Sequence, residues 1–192
     1  MSEEHFIARL KQKDEVAFRE LVEQFGDKVF NTALGIVQHP EDAEDISQDV
    51  FIEVFHSIDH FKGESKLATW IYRIAVTKSL EFLRKKKRSK RFAFVQSIFG
   101  LESSLPEKDA PHFYHPGVQL ENKERSAILF QAINSLPEKQ KSAFVLHKLE
   151  DLSYAEIAEV MKISLSSVES LMFRAKQNLQ KLLAGYYEAN EK

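Results

Sequence analysis

Cysteine is absent from the 192 residues, which excludes a disulfide framework and any thiolate metal site. A reducing compartment is no obstacle to such a chain. Glycine (6) and proline (5) are scarce, and Pro106, Pro111 and Pro116 fall in one short stretch. No apolar–polar alternation is long enough for a β-strand, and no internal repeat is visible. No apolar run approaches the roughly 18 residues that a membrane helix needs. Met1–Lys13 is charged throughout, so no signal peptide is expected. The expectation is a soluble, cytoplasmic protein without membrane insertion. Also missing are a Gly-rich phosphate loop, a nucleophile elbow and a His-Glu-x-x-His pair. No enzyme activity, catalytic residue or cofactor is therefore expected. His112-Phe113-Tyr114-His115 has the spacing of a metal-binding pair on a helix, but it lies among prolines without further ligands, so no metal is expected either.

What the chain does have is segregated charge. The net charge of −2 averages two opposite blocks. Six acidic residues and no base lie between Glu41 and Glu53, whereas Arg84–Arg91 holds seven bases and no acid. Opposite blocks point to two partners of opposite sign, although solvated helix faces would look the same.

Apolar residues recur at helical spacing nearly everywhere outside Gly100–Gly117, which collects the prolines and turn residues. The expected fold is all-α: two small helical domains joined by a flexible linker, with boundaries at 1–91, 92–118 and 119–192. The spacing predicts a helix near Asp14–Gln24, with Val16, Phe18, Leu21, Val22 and Phe25 toward the core, and a second to about Val37. His39-Pro40-Glu41-Asp42 starts another, and Ser65 is placed to cap a long helix to about Lys87. In the second domain one helix spans roughly Leu120–Asn134, and Pro137 opens another to about Leu149. Ser153 with Glu156 forms a capping box for a short helix through Met161, and Ser164 caps a last helix to about Leu183. Short helix, tight turn and longer helix have the proportions of a helix-turn-helix, winged-helix-like module.

Three faces carry chemistry. On the helix after Pro40, Asp42, Asp45, Asp49 and Glu53 line up at spacings of one turn, opposite Ala43, Ile46, Val50, Phe51, Val54 and Phe55. Such a row repels itself and calls for cations, either elsewhere in the chain or on a basic protein surface. The next helix gathers Lys66, Thr69, Trp70, Arg73, Thr77 and Arg84 in one sector. Basic groups bind phosphate and an aromatic ring stacks on an unpaired base, although a lone Trp also serves in cores. Lys85 and Arg88 extend this sector toward a phosphate-tracking run. On the last helix Leu165, Val168, Leu171, Met172, Ala175, Leu179 and Leu182 form the inward stripe. Ser166, Glu169, Ser170, Phe173, Arg174 and Gln177 point away, where a recognition helix meets the major groove.

The segments Ala43-Glu44-Asp45-Ile46-Ser47-Gln48-Asp49-Val50-Phe51, Phe61-Lys62-Gly63 and Leu67–Ala75 resemble region 2 of extracytoplasmic-function (ECF) sigma factors. Ala132–Gln140, Leu152–Ala158 and Arg174-Ala175-Lys176 resemble their region 4. The resemblance implies an RNA polymerase sigma factor. By it, Asp42, Asp45, Gln48, Asp49 and Phe51 face core polymerase at the β′ clamp. Lys62, Ser65, Lys66, Thr69, Trp70, Arg73, Thr77, Arg84, Lys85 and Arg88 hold the non-template strand of the −10 element. Ser164, Ser166, Ser167, Glu169, Ser170, Arg174 and Lys176 read the −35 element, and region 4 also contacts the β flap. The resemblance further implies promoter DNA as ligand, an anti-sigma factor as partner and a monomer when free. Thr77 stands where relatives often carry Asn, Glu81 where Asp is frequent, and Glu169 where many carry Lys. Two other readings are open from the residues alone: a polymerase-independent helix-turn-helix regulator and a single-strand RNA-binding protein.

Overall fold

The structure, a computed structural model, describes residues 2–98 and 123–190. The first domain contains α1 (Glu3–Lys11), α2 (Glu15–Val37), α3 (Pro40–Ser57), a 3-10 turn (Ile58–His60) and α4 (Leu67–Ile98). The second contains α5 (Lys123–Asn134), α6 (Glu138–Lys148), α7 (Tyr154–Met161) and α8 (Leu165–Asn190). No strand occurs among the described residues. The His112–His115 segment and most of the expected linker lie outside them.

Local chemistry explains most of the boundaries. The Asp14 carboxylate accepts from the Val16 and Ala17 amides at the start of α2, and His39 precedes Pro40 at the start of α3. Ser153 and Glu156 form the reciprocal box expected of them at α7. The Ser164 hydroxyl accepts from the Ser167 amide at the start of α8. Lys162, at φ 53°, supplies the tight turn between α7 and α8.

Four expectations change. Asp14–Val37 is one helix rather than two, because Gly26 sits in open space and a single helical Gly costs only about 1 kcal/mol. Val16 and Val22 are exposed, since Ala17, Leu21, Phe25 and Val29 form the buried stripe of α2. Ser65 does not cap α4. The Glu3 carboxylate, arriving from α1, accepts from the Leu67 amide at 2.8 Å and places an anion at the positive helix end. Finally, α4 runs on to Ile98, its basic stretch being built of good helix formers.

The two domains pack on each other, α2 against α6 and α4 against α7. Ile36, Tyr72 and Val76 of the first domain share a buried cluster with Val145, Leu146, Ile157, Val160, Val168 and Met172 of the second.

Candidate polymerase and nucleic-acid interfaces

The acidic row on α3 divides in two. Asp42 is half-buried, with the Lys86 ammonium 2.7 Å from its carboxylate, and Glu53 receives the Lys78 ammonium at 3.1 Å. For these two the cation comes from α4, so Asp42 leaves the set presented outward. Asp45, Gln48 and Asp49 are exposed, and neither aspartate makes an ion pair with a described residue. Ile52, 55% exposed, lies one turn beyond Gln48 and Asp49 and adds an apolar element that the charge pattern alone does not reveal. Phe51 turns inward and packs half-buried on the first-domain core. Phe55, expected inside, is 41% exposed and rests on Phe18 with the Lys13 ammonium over its ring.

The basic face of α4 is engaged in part. Lys62, Thr77, Lys85 and Arg88 are exposed and Ser65 is half-exposed. The Thr77 hydroxyl donates back to the Arg73 carbonyl at 2.8 Å. Lys66 lies 3.7 Å from Glu156, and Arg84 and Lys87 flank Glu138 at 3.8 and 2.8 Å. The Arg73 guanidinium donates to the Glu159 carbonyl at 2.8 Å while its Nε is buried without a partner. Thr69 is buried, not accessible, because it shares a helical face with Tyr72 and Val76, which the second domain covers. Trp70 is half-buried, packed on the first core with its ring 5.1 Å from that of Phe61. Between α3 and α4 a cleft of about 270 Å³ is lined by Glu53, Arg73, Ile74, Thr77, Lys78 and Glu81.

On α8, Val168, Met172, Ala175 and Leu179 are buried. Ser164, Ser166, Ser167, Glu169, Ser170, Arg174 and Lys176 are all exposed. Ser164 and Ser167 are occupied in the cap, their hydroxyls 2.8 Å apart. Phe173 is 63% exposed among the polar residues of this face. Leu165 and Leu182, placed in the inward stripe by periodicity, are about half-exposed because each lies at the margin of the packed segment.

Several residues at the seam between the domains were not among the expected site residues. The Tyr72 hydroxyl donates to the Glu150 carboxylate at 2.8 Å. Burial pushes the Glu150 carboxyl up to about 7 and drives the Tyr72 phenol well above its ordinary value. Lys141, 4% exposed, donates to the Ile36 carbonyl at 3.3 Å and to Asn134 Oδ1 at 2.8 Å, and burial lowers it to about 8. Their sequence separation hides these pairs from any local pattern.

Comparison with known proteins agrees with this arrangement. Residues 21–89 match the Sigma-70 region 2 family and residues 121–179 match Sigma-70, region 4. The ECF RNA polymerase sigma-E factor of Haemophilus influenzae is 32% identical over 184 residues, covering 94% of both chains. The Escherichia coli K12 sigma-E factor is 31% identical, covering 92% of both chains. The Bacillus subtilis ECF sigma factor SigW is 29% identical, covering 92% of this chain and 94% of its own. Among solved structures, CnrH in complex with the cytosolic domain of CnrY superposes with a TM-score of 0.66 at 22% identity, covering 94% of this chain and 96% of that one. The sigma factor RpoE in complex with the anti-sigma factor NepR from Bartonella quintana gives 0.63 at 22% identity, covering 87% and 96%. A polymerase-independent regulator or an RNA-binding protein would leave the region 2 match without a purpose. No helix among the described residues is long and apolar enough to cross a membrane. The chain belongs to the ECF sigma factors, transcription initiation factors that bind core RNA polymerase and direct it to promoters.

Proposed function

We propose that residues 1–91 dock on polymerase and open the −10 element, that 92–118 connect, and that 119–192 read the −35 element. The observation that carries this division is the pair Asp45 and Asp49, exposed carboxylates one helical turn apart with no cation from a described residue. With Gln48 and the apolar Ile52 beside them, they fit a basic protein surface with an apolar centre, which we assign to the β′ clamp. Carboxylates cannot dock on phosphate, so this face serves protein and not DNA.

The non-template strand is assigned to Lys62, Ser65, Lys66, Trp70, Arg73, Thr77, Arg84, Lys85 and Arg88, with a base entering the cleft lined by Arg73, Thr77 and Glu81. Duplex reading belongs to Ser166, Glu169, Ser170 and Arg174, with Ser164, Ser167 and Lys176 toward the backbone. Region 4 also meets the β flap. The working compartment is the cytoplasm, the free chain is a monomer, and the protein contributes binding energy rather than catalysis. An anti-sigma factor is a proposed partner, supported by the RpoE structure that holds one.

The test is run-off transcription from genomic promoter fragments with core polymerase, with and without this protein. Initiation at specific sites only in its presence is expected. Within that assay Trp70→Ala should retain core binding but reduce permanganate-reactive thymines at the start site. Equal melting by the variant would assign Trp70 to packing alone.

A further inference from the structure

Lys62, Ser65 and Lys66, assigned to the melted strand, lie on the segment that joins the 3-10 turn to α4. Lys62, Gly63 and Glu64 are exposed, and a Cβ on Gly63 would meet nothing within 4 Å beyond its chain neighbours. The position of such a segment depends on how its two ends are held, and α1 holds both. At the near end the Lys11 ammonium donates to the Phe61 carbonyl at 2.7 Å. At the far end the Lys66 carbonyl accepts from the Trp70 amide at 3.2 Å, which places Lys66 just before the first turn of α4. The Leu67 amide, left without a partner inside the helix, donates to the Glu3 carboxylate at 2.8 Å.

The support is itself anchored. Leu10 is fully buried, and Phe6 and Ile7 pack on the first-domain core. The Arg9 guanidinium reaches Asp14 at 2.8 Å and Glu20 at 3.3 Å, which ties α1 to α2. Just past α1, Lys13 adopts φ 59°, and its ammonium bonds the Phe55 carbonyl and lies 3.1 Å from Asp59. Exposed ion pairs contribute little, but a charged group bonded to a backbone amide or carbonyl is stronger and fixes a direction. Phe61, gripped by Lys11, also carries the ring that stands 5.1 Å from Trp70, so the hold extends to that side chain. Since α1 precedes residues 21–89, which carry the region 2 match, its role is read from these contacts.

We propose that α1 is a brace for the strand-binding segment, with Glu3 and Lys11 as its positioning residues. Neither touches DNA. By fixing Phe61 and the first turn of α4 they hold Lys62, Ser65, Lys66 and Trp70 in the arrangement that a displaced strand meets. The segment is then ordered on folding rather than at the promoter, which favours opening. Core binding through Asp45 and Asp49 does not depend on the brace. The proposal rests on the assignment of Lys62, Lys66 and Trp70 to the melted strand, and the experiment separates the two.

Trp70 is the chain's single tryptophan, so its fluorescence reports on this segment alone. Glu3→Ala with Lys11→Met removes both grips while Met keeps an apolar stem. Acrylamide quenching of Trp70 should rise and its emission move to the red, with helix content by circular dichroism retained. In holoenzyme assembled with core polymerase, permanganate-reactive thymines on the genomic fragments that the parent transcribes should fall several-fold at unchanged core affinity. Each change alone should give a smaller effect of the same kind. Glu3→Gln with Lys11→Arg keeps an acceptor and a donor and should restore both readings. Parental quenching or melting without the grips, core affinity that falls in step with melting, or failure of the conservative pair to restore them overturns the brace. Lys62→Ala with Lys66→Ala, in a chain with α1 intact, tests the underlying assignment and should also reduce melting. Parental melting by that pair would sink the strand assignment and the brace with it, whereas reduced melting there beside parental melting without the grips overturns the brace alone.

Discussion

The α3 and α4 faces of region 2 began as mirror images, one acidic block and one basic block on successive helices. In the folded chain they differ in kind. Asp45 and Asp49 stand without a cation from a described residue, whereas Lys66, Arg73, Arg84, Lys86 and Lys87 all meet oxygens of this protein. A charge run therefore says what a surface can bind, and only packing says whether it is already bound. The acidic row makes the same point within one helix: α4 neutralises Asp42 and Glu53 and cannot reach the two carboxylates between them.

The sharpest way to break this comparison is to reverse the open acidic pair. Asp45→Lys with Asp49→Lys should weaken core polymerase binding by about 3 kcal/mol or more, since each change replaces attraction with repulsion. Helix content by circular dichroism should stay the same. Unchanged affinity together with lost stability would mean that the pair is satisfied inside the molecule.

Smaller effects are expected on α8. Glu169→Ala should relax preference at one −35 base pair by about 1 kcal/mol if the proposed assignment holds, because an exposed carboxylate in the major groove accepts from a cytosine amino group. Arg174→Ala should lower affinity across all sequences and reduce the salt slope by about one if it neutralises a phosphate. Selection from randomised −35 elements reads the first effect and a salt titration the second. Preferences that survive Glu169→Ala intact would mean that another face of the helix enters the groove.

Asp42→Ala should cost about 0.5 kcal/mol of stability through its half-buried pair with Lys86, and Asp45→Ala should cost none. Urea melts of the two variants compare the closed and open parts of one row. Equal losses would erase the distinction between them.

Last is the pH response of the seam between the domains. Glu150 faces Tyr72, Lys28 and Asp151, and its burial raises it from 4.5 to about 7. Closure therefore takes up a proton between those values and strengthens as pH falls through that window. Lys141, facing Lys87 and Glu138, is lowered from 10.5 to about 8, so closure releases a proton and strengthens as pH rises through that range. Both charged groups oppose closure most fully between pH 7 and 8. The interdomain distance, followed by resonance energy transfer, should be greatest there, and Glu150→Gln should flatten the acidic limb alone. A monotonic pH response would place the controlling groups elsewhere.

Local rules carried far in this chain. The Ser153–Glu156 box, the Ser164 cap and the α8 stripe of Val168, Met172, Ala175 and Leu179 were legible because each depends on residues within a few turns. The outward-facing set on α8 followed from the same periodicity, and these residues are exposed. The cap of α4 was not legible, because its acceptor, Glu3, comes from 64 residues away.

The sequence by itself determined the chemistry of the helical segments from Asp14 onward: which faces are apolar and which carry carboxylates or bases. It also carried the family resemblance, whose motifs are short and local. Tertiary structure alone decided which charges are spent internally and which remain available. It set Tyr72 on Glu150, Arg73 on Glu159 and Lys141 on Ile36, pairs separated by 78, 86 and 105 residues. The reason is physical: helix periodicity and capping are fixed by neighbours along the chain, whereas charge pairing and burial depend on where distant helices come to rest.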